Sequence, residues 1–202
     1  EIVAMLGGAH AVNVVIDEER RISLANFGEV VESHLKAVDH VRAYAEVAVA
    51  ERFATVVTSA AGYPLDKTYY QTVKGMVGPL DILAPGGTLV IASACSEGMG
   101  SAEYVASQKR LIERGAEQFM RDIEFKSHAA VDEWQTEMLL KSLRVGRVGL
   151  YTGGLTDDEH GLTGVEIIDS VADAVATAVA AAGDKRVAVI PEGPYVVPRY
   201  RP

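Results

Sequence analysis

The sequence contains little of what marks secreted, membrane-spanning or nucleic-acid-binding proteins. Cys95 is the only cysteine in 202 residues, which excludes an internal disulfide framework and favours a reducing compartment, so we expect the cytoplasm. No apolar run approaches the roughly 20 residues that a membrane span requires. The net charge is -9 and basic runs are absent, whereas phosphate backbones are bound mainly by Lys and Arg. Neither a membrane nor a nucleic acid is therefore an expected partner.

Recognisable metal-binding motifs are also absent. The histidines are His10, His34, His40, His128 and His160. None belongs to an HxH or HExxH motif, and no Cys or His pair has the spacing of metal ligands. The acidic run 157–159 could bind a hard cation, but three adjacent carboxylates in a glycine-flanked turn are more often only solvated. We expect this chain to hold no metal by itself.

Linkers and repeats are missing too, which predicts one domain over residues 1–202. The contents of 49% hydrophobic and 23% charged residues are typical of a globular protein. The chain opens with EIVAMLGG and no initiator Met, and residues 2–6 resemble the tail of an apolar helix. We interpret the chain as part of a longer protein, and we expect residues 1–6 and the surface covered by the missing part to promote self-association.

Two patterns describe the first quarter of the sequence. AHAVNVVID and RISLANF are separated by the polar EER, and Val12, Val14 and Ile16 alternate on one face, which predicts a β-hairpin. After Gly28, apolar residues recur at helical spacing through EVVESHLKAVDHVRAYAEVAV, which predicts a long amphipathic helix.

The remainder alternates short apolar runs with helical stretches. The runs are 54–60, 86–95, 147–154 and 185–193. Continuous apolar strands between helices indicate a parallel sheet covered on both faces. The fold class is therefore α/β: an open, mainly parallel sheet with helices on both faces, preceded by a hairpin and a long helix. Ligands of such sheets bind beyond the carboxyl ends of the strands, here the loops 61–66, 95–101, 153–164 and 191–198.

Helix boundaries follow from capping residues. Asp66 is expected to cap a helix over 67–77, and Ser101 a helix that starts AEYVASQKRLIER. A further helix is expected in VDEWQTEMLLKSLRVG after a loop at 126–130. The alanine-rich segment 164–183 is expected to be helical and to end at Gly183.

The first of these helices has an unusual polar stripe. Tyr70 and Lys74 are i, i+4 neighbours, and Gln71 and Lys74 are i, i+3 neighbours, so the three share one face. A cation, an amide and a hydroxyl could together hold a small carboxylate, although a solvated helix face explains the spacing as well. Trp134, the only tryptophan, could be a core anchor or the wall of a ligand site.

The loop ACSEGMGSAEY offers a second candidate site. Backbone N–H groups where a strand meets glycines and a capped helix can cradle an anion, so a non-catalytic module that binds an anionic metabolite or nucleotide at loop 98–101 is an alternative function. A hydrolase that uses Cys95 or Ser96 as nucleophile is a weaker alternative, since a Cys that ends an apolar strand is more often a small buried hydrophobe.

Four segments together resemble a known family. GYPLDKTYYQTVKGM, PGGTLVIASACSEGMGS, the isolated Trp134 and the terminal IPEGPYVVPRY are similar to the C-terminal domain of the nickel-dependent lactate racemase (LarA-like) family. The resemblance runs from about residue 10 to the end, and YPLDKTYYQTVKG is its most specific part.

The resemblance implies an activity for the full-length protein. The family interconverts the two configurations of a 2-hydroxy acid: a hydride passes from the substrate Cα to a nickel pincer nucleotide, a 2-keto acid forms, and the hydride returns to either face. Two histidines act as acid and base, and they and the cofactor ligands belong to the N-terminal domain. The resemblance therefore implies no catalytic, cofactor-binding or metal-binding residue here, an N-terminal domain as partner, and an inactive fragment.

The resemblance also assigns substrate-binding residues. The C-terminal domain closes over the cleft, and its matching positions here are Tyr70, Gln71, Lys74 and Trp134. Lys74 would pair with the substrate carboxylate, Gln71 would orient the substrate, Tyr70 would shape the pocket, and Trp134 would exclude water. Which 2-hydroxy acid is bound does not follow from these residues.

Overall fold

The computed structural model describes residues 2–202. The chain forms two compact units, of which the first ends at Val47 and the second spans Ala48–Pro202. Each unit is described by itself. That residues 1–202 form one C-terminal domain of a larger enzyme stays a prediction.

The first unit is the predicted hairpin and helix. Its elements are α1 (Ile2–Met5), β1 (His10–Ile16), β2 (Ile22–Glu29) and α2 (Val30–Ala45). The two strands pair antiparallel, with Val12 opposite Phe27. The Glu29 side chain caps α2 by accepting hydrogen bonds from the N–H groups of Val31 and Glu32. Both the hairpin and the long helix are thereby confirmed.

Polar residues hold the hairpin against α2. Ser33 of α2 is buried; its hydroxyl accepts a hydrogen bond from Asn13 Nδ2 at 2.7 Å and donates to the Asn26 side chain. The face that carries Val12, Val14 and Ile16 is the opposite one, and these side chains are 68%, 47% and 60% exposed. The hairpin therefore presents an apolar face that no described element of its own unit covers.

The second unit is built on a five-stranded sheet. The strands are β4 (Phe53–Ser59), β5 (Leu83–Ala92), β6 (Arg147–Tyr151), β7 (Glu166–Ile167) and β8 (Val187–Ile190), in the order β7-β6-β5-β4-β8. All neighbours pair parallel, which confirms the predicted sheet, while β7 was not predicted. A separate two-stranded pair consists of β3 (Glu46–Val49) and β9 (Val197–Tyr200).

Helices lie on both faces of this sheet. They are α3 (Tyr69–Val77), α4 (Ala102–Glu124), α5 (Glu133–Val145), α6 (Asp157–Thr163) and α7 (Val171–Ala182), with 3-10 turns at Gly78–Asp81 and Gly193–Tyr195. Successive strand residues face opposite sides. Ile91 accordingly packs by Gly75 of α3, whereas Val90 and Ala178 of α7 line a groove on the other face.

The capping residues were predicted with mixed success. Ser101 caps α4 by accepting from the Tyr104 N–H, and Gly183 ends α7 in the left-handed conformation. The cap of α3 is Thr68 rather than Asp66, because the Thr68 hydroxyl accepts from the Gln71 N–H. The Asp66 carboxylate instead accepts from the Ala94 N–H, at the end of β5.

Two further boundaries differ from the predictions. The expected loop 153–164 contains α6, and the helix expected from residue 164 begins only at Val171, after β7. The long helix α4 bends at Gly115, whose φ is 76°. The bend places Phe119 beside the first half of the same helix, with its ring centroid 4.6 Å from the Arg110 guanidinium. Among residues 2–202, no helix has the length and apolar character to cross a bilayer.

Candidate functional site

The N-terminus of α3 lies at the carboxyl edge of the sheet and is held by the glycine loop. The N–H groups of Tyr69 and Tyr70 donate to the carbonyls of Gly98 and Met99, each at 3.0 Å. These are N-terminal helix amides that have no partner inside the helix. The first turn of α3 is thus fixed to the loop that follows β5, as the carboxyl-edge rule predicts for a site in such a sheet.

Tyr70 is the centre of the candidate site. Its ring meets Trp134 edge-on, with centroids 6.1 Å apart and planes at 88°, and the Lys74 ammonium lies 5.6 Å from the same ring. Tyr104 packs edge-on at 5.2 Å. Three of the four residues predicted from the sequence therefore meet around one aromatic ring.

Exposure separates the members of this cluster. Lys74 is exposed and Trp134 is 50% exposed, while Tyr104 is completely buried. Among residues 2–202 Lys74 forms no ion pair, so its charge is available to an anion. Gln71, the fourth predicted residue, is half-buried in the same turn, and its N–H is used for the Thr68 cap.

The start of α5 contributes two further residues near Tyr70 that sequence reasoning missed. Gln135 is fully buried, and its Nε2 donates to the Tyr70 carbonyl at 2.6 Å. Asp132 accepts from the Ser101 hydroxyl at 2.5 Å and lines the same depression as Tyr70. Burial raises the pKa of the Tyr70 phenol, and the nearby Asp132 carboxylate raises it further. The Tyr70 phenol is therefore neutral near pH 7.

A depression opens beside this cluster. Its volume is about 440 Å³, and its lining consists of Thr68, Tyr70, Glu97, Gly100, Ser101 and Asp132. Gly100 lies so close that a Cβ there would come within 2.9 Å of the Tyr70 Cβ. The space is ample for a small organic acid beside the phenol.

Buried charge anchors the segment that carries Asp132 and Trp134. Between them, Glu133 is only 3% exposed. Its carboxylate accepts from Lys126 at 2.7 Å, from Arg110, and from the Ala130 N–H at 3.2 Å. Buried carboxylates are stable only when they are paired and hydrogen-bonded. This anchoring fixes the positions of the neighbouring residues Asp132 and Trp134 beside Tyr70.

The backbone N–H groups of the glycine loop are largely occupied by the protein itself. Those of Glu97 and Gly98 donate to the carbonyls of Lys67 and Cys95 at 2.7 and 2.9 Å. The Glu159 carboxylate lies against this loop, since a Cβ on Gly98 would come within 2.8 Å of its Oε1. Hydrogen bonds from the Thr156 N–H and hydroxyl lower the pKa of Glu159 despite its partial desolvation. A loop whose amides are occupied by carbonyls and which has a carboxylate beside it is a poor cradle for an anion.

The other candidates from the sequence have structural roles. Cys95 is fully buried, with its Sγ 3.4 Å from the Thr72 hydroxyl, which confirms the expectation of a buried hydrophobe. Residues 157–159 form the first turn of α6, where Glu159 completes a capping box with Thr156. Among residues 2–202 no three His, Cys, Asp or Glu side chains are grouped closely enough to hold a metal ion.

Comparison with known proteins identifies the family. Residues 49–197 match the family described as lactate racemase C-terminal domain. The chain belongs to the lactate racemase family. The matched range lies within the second unit and contains the whole Tyr70 cluster.

Relatives and solved structures agree with this assignment. The chain is 32% identical over 137 residues to a lactate racemase of Thermoanaerobacterium thermosaccharolyticum, a match that covers 67% of this chain and 32% of that protein. It is 30% identical over 96 residues to a lactate racemase of Lactiplantibacillus plantarum, covering 48% of this chain and 22% of the relative. The chain thus spans about a third or less of the curated relatives that it matches.

The fold is shared with solved structures. The lactate racemase apoprotein from T. thermosaccharolyticum superposes with a TM-score of 0.82 at 28% identity, covering 95% of this chain and 46% of that one. A protein from Thermotoga maritima superposes with a TM-score of 0.62 at 12% identity, covering 95% of this chain and 49% of that one, which shows the fold alone. The α/β fold with its parallel sheet is confirmed.

Proposed function

We propose that this chain is the substrate-closing C-terminal domain of a 2-hydroxy acid racemase or epimerase, which works by hydride transfer through a 2-keto acid. The observation that carries the proposal is the meeting of Lys74, Tyr70 and Trp134 around one ring at the carboxyl edge of the sheet. Membership of the lactate racemase family supports the reaction class. Tyr70, Gln71, Lys74 and Trp134 are the proposed substrate-binding residues.

Each residue has a role that follows from its chemistry. Lys74 is an exposed cation without an ion-pair partner among the described residues, and it would bind the substrate carboxylate. Gln71 would orient the substrate by hydrogen bonding, since an amide both donates and accepts. Tyr70 would shape the pocket, and the half-exposed Trp134 would close over the substrate and exclude water. Such contacts are stronger in a closed, dry cleft than on an open surface.

The rest of the reaction requires a second domain. The described residues do not fit a nickel site, because no suitable group of ligands is present among them. We therefore assign the nickel pincer nucleotide and the acid–base residues to an N-terminal domain of a longer protein, and we derive no step through the cofactor here. This chain alone would be inactive. With a single cysteine, the cytoplasm is the proposed location.

Exposed apolar side chains support such a partner domain. Ile2, Met5 and Leu6 are 75%, 81% and 73% exposed, and Val12 and Phe27 on the uncovered hairpin face are 68% and 70% exposed. Contiguous exposed apolar surface marks an interaction site. We propose that the remainder of a longer protein covers it, and that the isolated chain self-associates through it.

The proposal is tested by Lys74→Ala in the full-length protein. Racemisation of D- and L-lactate and longer 2-hydroxy acids would be followed by chiral chromatography. Loss of a charge-stabilising group in a closed site typically costs about 100-fold in turnover. We expect a loss of this size with an unchanged circular dichroism spectrum, because Lys74 is exposed.

Lys141→Ala provides a matched control. Lys141 is an exposed cation of α5 that pairs with Glu137 at 3.7 Å and is not one of the proposed substrate-binding residues, so its loss should leave turnover unchanged. Equal activity of Lys74→Ala and the wild type on every acid that is turned over would refute the assignment of Lys74. Absence of turnover of any 2-hydroxy acid by the cofactor-loaded wild type would refute the function.

The alternative module that binds an anionic metabolite or nucleotide at loop 98–101 has less support. The N–H groups of Glu97 and Gly98 are already engaged, and the carboxylates of Glu97 and Glu159 lie at the loop. Isothermal titration with ATP, ADP and lactate distinguishes the two. Tight nucleotide binding that survives Lys74→Ala but is lost in Gly100→Val would favour the module.

A further inference from the structure

We infer that the depression beside Tyr70 binds the chain of the substrate, and that it selects 2-hydroxy acids with additional hydroxyl groups and a single carboxylate. The inference rests on the proposed function and narrows the substrate class, which the sequence left open. It is carried by the composition of the lining and by the hydrogen bonds that the lining residues already make.

Among residues 2–202, no purely aliphatic side chain lines the depression. Its volume is about 440 Å³, and its lining consists of Thr68, Tyr70, Glu97, Gly100, Ser101 and Asp132. Small-molecule sites are ordinarily lined mostly by hydrophobic side chains, with only a few polar groups. Here three hydroxyl-bearing residues and two carboxylates surround the space. An alkyl chain would remove water from these polar groups without replacing the lost hydrogen bonds, which is unfavourable.

The two carboxylates supply hydrogen-bond acceptors. Asp132 accepts from the Ser101 hydroxyl at 2.5 Å, and Glu97 forms an ion pair with Lys67. An ionised carboxylate has about four lone-pair sites, so both groups can accept further hydrogen bonds from a ligand. The hydroxyl groups of a substrate are suitable donors, and their bonds to a carboxylate are stronger than those between neutral groups.

The hydroxyl groups of the lining complement these acceptors. Thr68 Oγ1 accepts from the Gln71 N–H at 3.3 Å, which uses one lone pair and leaves its O–H to donate to a ligand. The Ser101 hydroxyl is oriented from two sides, because it accepts from the Tyr104 N–H and donates to Asp132. A substrate hydroxyl both donates and accepts, so it suits a lining that offers a donor and carboxylates together.

Tyr70 places the depression next to the group that is proposed to bind the substrate carboxylate. The Lys74 ammonium lies 5.6 Å from the Tyr70 ring, and Tyr70 itself lines the depression. A substrate whose carboxylate is bound by Lys74 would therefore extend its chain along the ring into the depression. A second carboxylate on that chain would meet Glu97 and Asp132. Because like charges at close range are unfavourable, dicarboxylates should be rejected.

The test compares matched acids on one preparation of the full-length, cofactor-loaded protein. The acids 2,4-dihydroxybutanoate and 2-hydroxypentanoate differ only in that a hydroxyl of the first replaces the terminal methyl of the second. We expect kcat/KM to be about 10-fold to 100-fold higher for the dihydroxy acid, the range for one hydrogen bond to a charged group, and to be lowest for malate. A ratio between two substrates is independent of the fraction of enzyme that is folded and loaded.

Asp132→Asn tests the carboxylate itself. Asp132 has a φ of 61°, a left-handed conformation that Asn also adopts, and the Asn oxygen can still accept from Ser101. An amide forms a weaker hydrogen bond to a substrate hydroxyl and does not repel a carboxylate. The preference for the dihydroxy acid should therefore fall by about 5-fold, and kcat/KM for malate should rise relative to 2-hydroxypentanoate.

Glu103→Gln provides the control for net charge. Glu103 is an exposed carboxylate in the first turn of α4 and does not line the depression, so its loss should leave both ratios unchanged. Equal kcat/KM for the dihydroxy and the alkyl acid, or a preference that Asp132→Asn does not change, would overturn the inference while leaving the proposed function intact.

A binding measurement separates this inference from the proposed function. If the wild type turns over none of these acids, the proposed function fails, and isothermal titration of the same protein decides the inference. We expect 2,4-dihydroxybutanoate to bind about 10-fold more tightly than 2-hydroxypentanoate. Equal affinities, or no binding of the dihydroxy acid, would overturn the assignment of the depression.

Discussion

The buried carboxylate of Glu133 gives the sharpest test of how the candidate site is held together. It lies between Asp132 and Trp134 and receives hydrogen bonds from Arg110, Lys126 and the Ala130 N–H. Glu133→Gln keeps the size and one acceptor oxygen but removes the negative charge and directs an amide toward two cations. We expect the variant to destabilise the second unit and to loosen the start of α5.

The magnitude follows from the exposure of the partners. Breaking a fully buried ion pair costs about 3–5 kcal/mol. The Glu133 side chain is 4% exposed, but those of Arg110 and Lys126 are 27% and 30% exposed, so water compensates part of the loss. A cost of about 2 kcal/mol is therefore expected. For a protein of this size it lowers Tm by about 4–8 °C.

The assay is thermal unfolding of the 202-residue chain followed by Trp134 fluorescence, which reports on the unit that contains the tryptophan. Asp122→Asn is the matched control: its partner Arg114 lies at 2.8 Å, but the side chains of Asp122 and Arg114 are 22% and 54% exposed, so its loss should lower Tm much less than Glu133→Gln does. A Tm for Glu133→Gln within about 1 °C of the wild type would refute the role assigned to the buried carboxylate.

Two further predictions concern other parts of the second unit. Gly146→Ala should lower the free energy of unfolding by about 2–3 kcal/mol, because the new Cβ would lie 2.2 Å from the Gly87 carbonyl oxygen. Gly153→Ala should be nearly neutral, because no atom lies within 4 Å of a Cβ built there. Equal urea midpoints of the two variants would contradict this prediction. Hydrogen bonds from Arg186 lower the pKa of Asp184 from 3.8 to about 2. The stabilisation that these hydrogen bonds give to the folded state should therefore be complete above about pH 4 and be lost as the pH falls toward 2. The urea midpoints of the wild type and Asp184→Asn should converge over this range. A constant difference between the two midpoints would contradict the prediction.

Local signals in the sequence were sufficient for most elements. The apolar runs became β4, β5, β6 and β8 because a strand buried on both faces needs apolar residues throughout. Ser101 and Gly183 marked helix ends because caps act within one turn. The prediction that Asp66 caps α3 was wrong because Thr68, two residues later, is an equally good capping residue. The contact of Asp66 with Ala94 at the sheet edge could not be predicted from the sequence.

The candidate site was only partly determined by the sequence. The spacing of Tyr70, Gln71 and Lys74 placed them on one helical face, but a solvated face has the same spacing. What brings Trp134 to Tyr70 is the order of β4, β5 and β6 in the sheet, which sets the starts of α3 and α5 side by side. The spacing of apolar residues along the sequence does not predict such a contact.

The residues that sequence reasoning missed also make contacts between segments that are far apart in the sequence. Asp132, Gln135 and Tyr104 lie around Tyr70 although they are more than 30 residues away along the chain, and Glu159 of α6 lies against Gly98. Helical and strand patterns are set by interactions within a few residues, so the sequence by itself determined the elements and their amphipathic faces. Contacts between residues on different crossovers exist only after the sheet has assembled, and so only the tertiary structure decided how Tyr70 is held.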